Sequence, residues 1–252
     1  MFEDLKTLWW FLIRPRFYSA MLTLILRKFL KNRDLEIERQ VTWCSERVIS
    51  LDSCFKELGL EPKTKKVFSN SFVDNINEKI FKSNSNFGGQ GHVDLLFNLC
   101  ESINAKKVVE TGVAYGWSSS AILKSLSIRG GKLVSVDMPM IKQKDYHLIG
   151  VAVEDKNYKY WDLIREPDKF GLNKAIKKLN YSFDLAHYDS DKSYYGRKWS
   201  QPLIWKYLRK GGIFISDDIE DNAAFREFVE ELDLDFSILE FEGKYVGVIK
   251  KD

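Results

Sequence analysis

Residues 108–118 constrain this chain more than any other stretch. Val108 and Val109 close an apolar run from Lys106 that reads as the end of a buried strand, and Glu110 puts a carboxylate at its tip. Gly112 and Gly116 then bracket Val113, Ala114 and Tyr115 before Ser118-Ser119-Ser120-Ala121-Ile122-Leu123 opens a helix. The first helical turn leaves N–H groups without intrahelical partners, and they point back at whatever the turn encloses. Glycine at 112 and 116 lets the backbone approach a ligand that a side chain would exclude. The spacing Glu-x-Gly-x-x-x-Gly lacks the middle glycine that packs a pyrophosphate, which argues against a dinucleotide. A carboxylate at the strand tip suits a cationic or amine-bearing ligand better than a phosphate.

From His92 onward the chain alternates as a parallel sheet demands. Val93 to Ile103 is an amphipathic helix, and Lys132 to Val136 is a second strand that ends on Asp137. Asp137 follows Glu110 by 27 residues, a distance at which nucleotide folds place an acid on ribose hydroxyls. For the third strand two runs compete, Leu148 to Val153 and Tyr158 to Ile164. Leu172 to Leu179 is helical, Phe183 to Tyr188 is strand four, Pro202 to Arg209 is helical and Gly211 to Ser216 is strand five. After a helix around Ala223 to Leu232, strands at Leu234 to Glu240 and Lys244 to Ile249 are separated only by Phe241-Glu242-Gly243, so they are antiparallel. The expected fold class is therefore α/β: a Rossmann-like sheet of seven strands, mostly parallel, with a C-terminal antiparallel hairpin.

With 44% hydrophobic and 30% charged residues in 252, the chain builds one sizeable core and an appendage. Residues 1–33 hold seven Lys/Arg against Glu3 and Asp4, which leaves the rest two charges acidic and excludes nucleic acid as a partner of the main domain. Cys44, Cys54 and Cys100 have neither zinc nor disulfide spacing and read as reduced cytoplasmic thiols. The boundaries drawn are a helical extension over 1–60, a polar linker and active-site loop over 61–91 closing on Phe87-Gly88-Gly89-Gln90-Gly91, and the main domain over 92–252. A single further helix is expected over 34–60. In residues 5–30, Trp9, Trp10, Phe11, Phe17 and Tyr18 accompany an apolar run that Arg14-Pro15-Arg16 interrupts, so no span reaches the roughly 20 residues of a membrane crossing. Two readings stand: helices that cap the domain or build a homodimer, or a membrane-surface element that brings a cytoplasmic enzyme to its substrate.

Strand four runs into Asp189-Ser190-Asp191-Lys192-Ser193-Tyr194 and strand five into Asp217-Asp218, so Asp189, Asp217 and Asp218 converge on one crevice. Carboxylates this close repel unless they share a cation or proton, and hard oxygen ligands suit a divalent ion such as Mg²⁺.

The glycine turn resembles that of the class I S-adenosylmethionine-dependent methyltransferases, which implies that Glu110, Gly112, Ala114, Tyr115, Gly116 and Ser118 hold the amino-acid end of the cofactor, with Asp137 on its ribose. Glu-x-Gly-x-x-x-Gly-x-Ser is similar to catechol O-methyltransferases, whose metal acids correspond to Asp189 and Asp217, with Asp218 where that family has Asn. The Asp-Asp pair is similar to sugar O-methyltransferases. Asp189 to Tyr194 and Gly211 to Asp218 resemble the family called methyltransferase 24, with Lys192 in place of its His. The resemblance covers about residues 87–250 and implies an O-methyltransferase, acting with a divalent metal on a hydroxyl of a small molecule, sugar or glycan. The alternatives are a metal-independent methyltransferase and a cofactor-binding accessory protein without turnover. Asp191 and Lys192 are the candidate general bases. His187 reads as a packed core residue, and His92 as a candidate for mutation beside the glycine loop.

Overall fold

The structure, a computed structural model, describes residues 9–29, 37–83, 86–139 and 145–252. Seven strands form one sheet in the order β3-β2-β1-β4-β5-β7-β6. They are β1 (Lys107–Thr111), β2 (Lys132–Val136), β3 (Trp161–Ile164), β4 (Phe183–Tyr188), β5 (Leu208–Ser216), β6 (Ser237–Phe241) and β7 (Lys244–Lys250). The first five run parallel, and β7 lies antiparallel to both β5 and β6.

The apolar strand runs have a simple cause: both faces of the sheet are covered, so both sets of alternating side chains are buried. Val109, Val134, Ala186 and Phe214 point to one core, and Val108, Leu133, Leu185 and Ile213 to the other. The first core takes residues of α2 (Ile37–Ser45), α7 (Asp168–Lys178), α8 (Tyr194–Tyr207) and α9 (Ala224–Glu231). The second takes residues of α3 (Leu51–Glu57), α5 (Val93–Ser102) and α6 (Trp117–Ile128). Cys44 belongs to the first core, Cys54 and Cys100 to the second; burial raises all three thiols, Cys44 to about 12 and Cys54 to about 11.

Several local expectations are corrected. Residues 34–60 are not one helix: α2 and α3 are separated because the Ile49 N–H pairs with the Ile238 carbonyl at 2.9 Å and Ser50 caps α3 by accepting the Ser53 N–H at 3.1 Å. The polar 61–91 segment contains a helix, α4 (Asn70–Phe81), capped by Ser69; Phe72, Val73, Ile76 and Ile80 pack its inner side. The third strand falls in the later of the two competing runs. Residues 148–153 turn instead beneath the glycine loop, where the Gly150 and Ala152 N–H groups donate to the Ala114 and Tyr115 carbonyls at 3.0 and 2.9 Å. Helix α8 starts at Tyr194, eight residues before Pro202, because Ser193 caps it by accepting the Gly196 N–H at 3.1 Å. In the N-terminal extension, residues 1–8 and 30–36 lie outside the described residues; residues 9–12 are helical and α1 (Tyr18–Phe29) follows a short turn at Pro15–Phe17. Among the described residues, no helix is long and apolar enough to cross a membrane.

Candidate functional site

The C-terminal ends of the parallel strands are held level by backbone bonds. Gly112 N–H donates to the Val136 carbonyl at 2.8 Å, Asp189 N–H to Thr111 at 2.9 Å, Asp217 N–H to Tyr188 at 3.0 Å and Asp137 N–H to Ile164 at 3.0 Å. The three strand-tip acids Asp137, Asp189 and Asp217 thereby meet one cavity of about 890 Å³. Gly112, Ala114, Tyr115 and Ser118 of the glycine turn, Asp191, Lys192 and Asp218 also line it.

Glu110 does not line it. Its side chain is buried behind the turn, where the hydroxyls of Ser118, Ser119 and Ser135 donate to it at 2.7, 2.5 and 2.6 Å. Three donors satisfy the buried carboxyl oxygens and tie β1, β2 and the start of α6 together. Glu110 was expected at the ligand; the structure places its side chain behind the turn, which it holds. The two glycines serve backbone packing in the same way. A Cβ on Gly112 (φ 84°) would lie 2.0 Å from the Asp189 carbonyl oxygen, and one on Gly116 (φ 83°) would lie 2.7 Å from Gly150 Cα. Gly116 is absent from the cavity wall, and the Ser118 hydroxyl turns away towards Glu110. Tyr115 carries the loop over the cavity: its hydroxyl accepts the Phe87 N–H at 3.3 Å and its ring lies 4.9 Å from that of Phe87.

Asp137 is 5% exposed, accepts the Val113 N–H at 3.4 Å and pairs with Arg165. Burial raises its carboxyl and Arg165 opposes that rise. Asp168, at the start of α7, lies in the same wall and accepts from the Ser190 hydroxyl; burial raises its carboxyl to about 6.

At the ends of β4 and β5 the acids meet protein cations. Lys192 pairs with Asp218 and lies 3.1 Å from Asp189, and Lys244 pairs with Asp218 at 2.9 Å. His187 Nε2 lies 3.2 Å from Asp217 Oδ2, and Nδ1 lies 3.7 Å from Glu110 Oε1. Burial alone would lower the His187 pKa, but Asp217 and Glu110 overturn that and raise it to about 10, so the ring is an imidazolium at neutral pH. Asp189 rises to about 6 through burial and the charge of Asp217. Asp218 is held in the left-handed region (φ 50°), its carbonyl accepting the buried Arg197 guanidinium at 2.8 Å. Despite burial, Lys192 rises above the usual lysine range because of Asp189 and Asp218. A base must first lose its proton, so Lys192 is not poised to be one; it is a fixed cation. Asp191 accepts the Ser193 N–H at 3.2 Å, and its carboxylate packs at Gly196 in the first turn of α8.

A divalent ion was expected on Asp189, Asp217 and Asp218. Among the described residues, no group of three or more His, Cys, Asp and Glu side chains is arranged to hold a metal. The donor set explains why: each acid faces a lysine ammonium or an imidazolium, which would repel a second cation. The acids as built do not fit a divalent ion.

Sequence reasoning passed over His187, Asp168, Arg165 and Lys244. His187 carried one usable signal, since it stands two residues before a strand-end acid on the strand that feeds the crevice. The others, Asp168 at the start of α7, Arg165 just after β3 and Lys244 at the start of β7, meet partners from distant parts of the chain that no local pattern encodes.

The methyltransferase 24 family model, described as a methyltransferase domain, matches residues 109–219. None of the curated proteins matches the chain. Among solved structures, the chain is similar to the O-methyltransferase from Bacillus cereus in complex with SAH, at 16% identity over 73% of this chain and 93% of that one, TM-score 0.59. It is also similar to SAH-bound methyltransferase PaMTH1 from Podospora anserina, at 14% identity over 79% and 93%, TM-score 0.54. A third is the O-methyltransferase TomG from Streptomyces achromogenes, involved in tomaymycin synthesis and in complex with SAM, at 14% over 74% and 92%, TM-score 0.55. The sheet order and the matched domain agree: this chain has the class I S-adenosylmethionine-dependent methyltransferase fold, and the two together support a methyltransferase that uses that cofactor.

Proposed function

We propose that this chain transfers the methyl group of S-adenosylmethionine to a hydroxyl of a small molecule. The observation that carries the reading is the cavity wall, where Asp137 stands at the β2 end and the Asp189–Lys192–Asp218 cluster at the ends of β4 and β5. Its charged lining is mostly carboxylate, which favours a cationic sulfonium ligand over a pyrophosphate. A cavity of about 890 Å³ has room for a cofactor and an acceptor together. Asp137 would hold the ribose hydroxyls, and the backbone at Gly112 and Ala114 would border the amino-acid end.

The chemistry supplied by the bound cofactor is an electrophilic methyl on a sulfonium. The chain's own residues then have two tasks at the acceptor. Lys192 Nζ orients the hydroxyl oxygen and lowers its proton affinity by its fixed charge. Asp189, whose carboxyl titrates near 6, collects the proton as the C–O bond forms, a pKa that suits a base at neutral pH. Asp191 would border the acceptor in the cavity that the Tyr195 and Trp199 rings also line, and an acid sharing a wall with aromatic rings supports a sugar-like, polyhydroxylated acceptor. The divalent ion has no step in this reading. Mg²⁺ at millimolar concentration is expected to leave the melting temperature unchanged, and a metal-dependent rise would restore the metal-assisted alternative.

Titration calorimetry with S-adenosylhomocysteine and with NAD tests the cofactor assignment. Binding of NAD, with no response to the adenosyl ligand, would end it.

The N-terminal extension favours a second, compatible reading, contact with an anionic membrane surface from the cytoplasmic side. Trp9, Leu12, Ile13, Leu22 and Ile25 are exposed around Arg14 and Arg16. Co-sedimentation with anionic vesicles is expected and should fall for Ile13→Ser; a protein that stays in the supernatant, or self-associates through this face into a homodimer, refutes it.

A further inference from the structure

We propose that the N-terminal segment, outside the matched methyltransferase domain, supplies one wall of the cofactor cavity, with Phe11 contacting the nucleoside half of the ligand. This rests on the reading that the cavity takes S-adenosylmethionine. Phe11 and Ala20 line the same cavity as Asp137, Met138 and Pro139. Phe11 is 1% exposed in a segment whose neighbours Leu12 and Ile13 are 44% and 53% exposed, so the inner side of the segment is committed to the domain. Phe11, Phe17 and Ala20 form one apolar cluster with Trp10, Met21, Met138 and Phe170. The Trp10 and Phe17 rings stack at 5.3 Å, the Phe17 ring meets that of Phe170 edge-on at 5.1 Å, and Arg16 pairs with Glu166 at 3.3 Å.

Position decides which half of a ligand this wall meets. Met138 directly follows the β2-end acid Asp137, while Glu166 and Phe170 come from the connection after β3 and the start of α7. The Asp189, Lys192 and Asp218 cluster lies at the ends of β4 and β5, on the other side of β1 in the sheet. In open α/β sheets the two halves of a ligand lie across such a crevice. Phe11 therefore belongs to the ribose and base side and is remote in the sheet order from the reacting side. An apolar ring edge in that wall gives a base a water-free border, which charge on the loops around it does not. The segment thus gains a role in cofactor affinity independent of any role for its outer side.

Calorimetry of the full chain with S-adenosylhomocysteine and with 5′-methylthioadenosine, which keeps only the nucleoside half, tests this. Phe11→Ala is expected to weaken both ligands by about tenfold, the size of one base–aromatic contact. Ile13→Ala, on the outer side, should stay within about twofold of wild type. Because Phe11→Ala removes a core ring, Ala20→Leu is the companion variant. It keeps the cluster, adds bulk to the cavity wall, and should also weaken both ligands. Wild-type binding of the homocysteine ligand with unchanged affinity in a folded Phe11→Ala or Ala20→Leu overturns the wall and leaves the proposed function standing. A loss for S-adenosylhomocysteine but not for methylthioadenosine overturns the assignment to the nucleoside half. A wild type that binds neither ligand instead overturns the cofactor reading beneath it.

Discussion

His187→Gln tests the electrostatic core of the site, because it removes one buried charge while leaving a side-chain amide near Asp217. The imidazolium lies between Asp217 and Glu110 at 3.2 and 3.7 Å. A folded-state pKa of about 10 against a reference of 6.5 corresponds to about 5 kcal/mol of preference for the protonated ring, an upper figure for its contribution to stability. The folded value is raised, so this contribution is fully present below about pH 6.5 and is lost as pH climbs to about 10. Near pH 7 the variant leaves Asp217 without its counter-ion, whereas Glu110 keeps three hydroxyl donors. Removing one partner of such a buried pair costs about 3–5 kcal/mol, or on the order of 10 °C in melting temperature for a chain of this length. Thermal melts of both proteins from about pH 6 to about pH 10 should give a gap widest near pH 6 that narrows through neutrality and closes on the alkaline side, as the wild-type ring gives up its proton. A gap that stays constant with pH, or an imidazole resonance titrating near its ordinary value, would refute the argument.

Gly112→Ala should destabilise the fold by about 3 kcal/mol or more in chemical denaturation, because its Cβ would lie 2.0 Å from the Asp189 carbonyl oxygen at a positive φ. Lys192→Met should abolish turnover with S-adenosylhomocysteine affinity nearly intact. Since Lys192 lowers the Asp189 carboxyl, any residual activity should show its acid limb moved above about pH 6, and an unmoved limb would place the base elsewhere. Asp137→Ala should weaken S-adenosylhomocysteine binding by about 1.5–3 kcal/mol in calorimetry, and an unchanged affinity would move the ribose contact to another residue.

The sheet was legible because a two-sided parallel sheet writes itself as apolar runs that end on acids: Asp137, Asp189 and Asp217 directly follow their strands, and Glu110 is the last residue but one of β1. The short connection before Lys244 likewise forced an antiparallel pair. What the chain did not declare was partnership. Lys192 looked like a base because spacing locates a residue without revealing the carboxylates on either side of it, one of which comes from β5. Glu110 looked like a ligand contact because a strand tip has two sides, and only the serines at 118, 119 and 135 decide which side the carboxylate takes. His187 read as core and is indeed buried, yet its burial is between two acids. Helix α4 escaped notice because Asn, Ser and Lys dilute four apolar positions whose spacing is helical.

The three cysteines give the molecule an internal reporter. A thiol reacts as thiolate, and burial holds the Cys44 and Cys54 thiols at about 12 and 11, so the closed fold presents almost no nucleophile to an alkylating reagent. Labelling at neutral pH must then wait for an opening event, and its rate counts such events. Cys44 lies under one face of the sheet and Cys54 and Cys100 under the other, so mass-resolved alkylation distinguishes whether the two faces come loose together or one at a time.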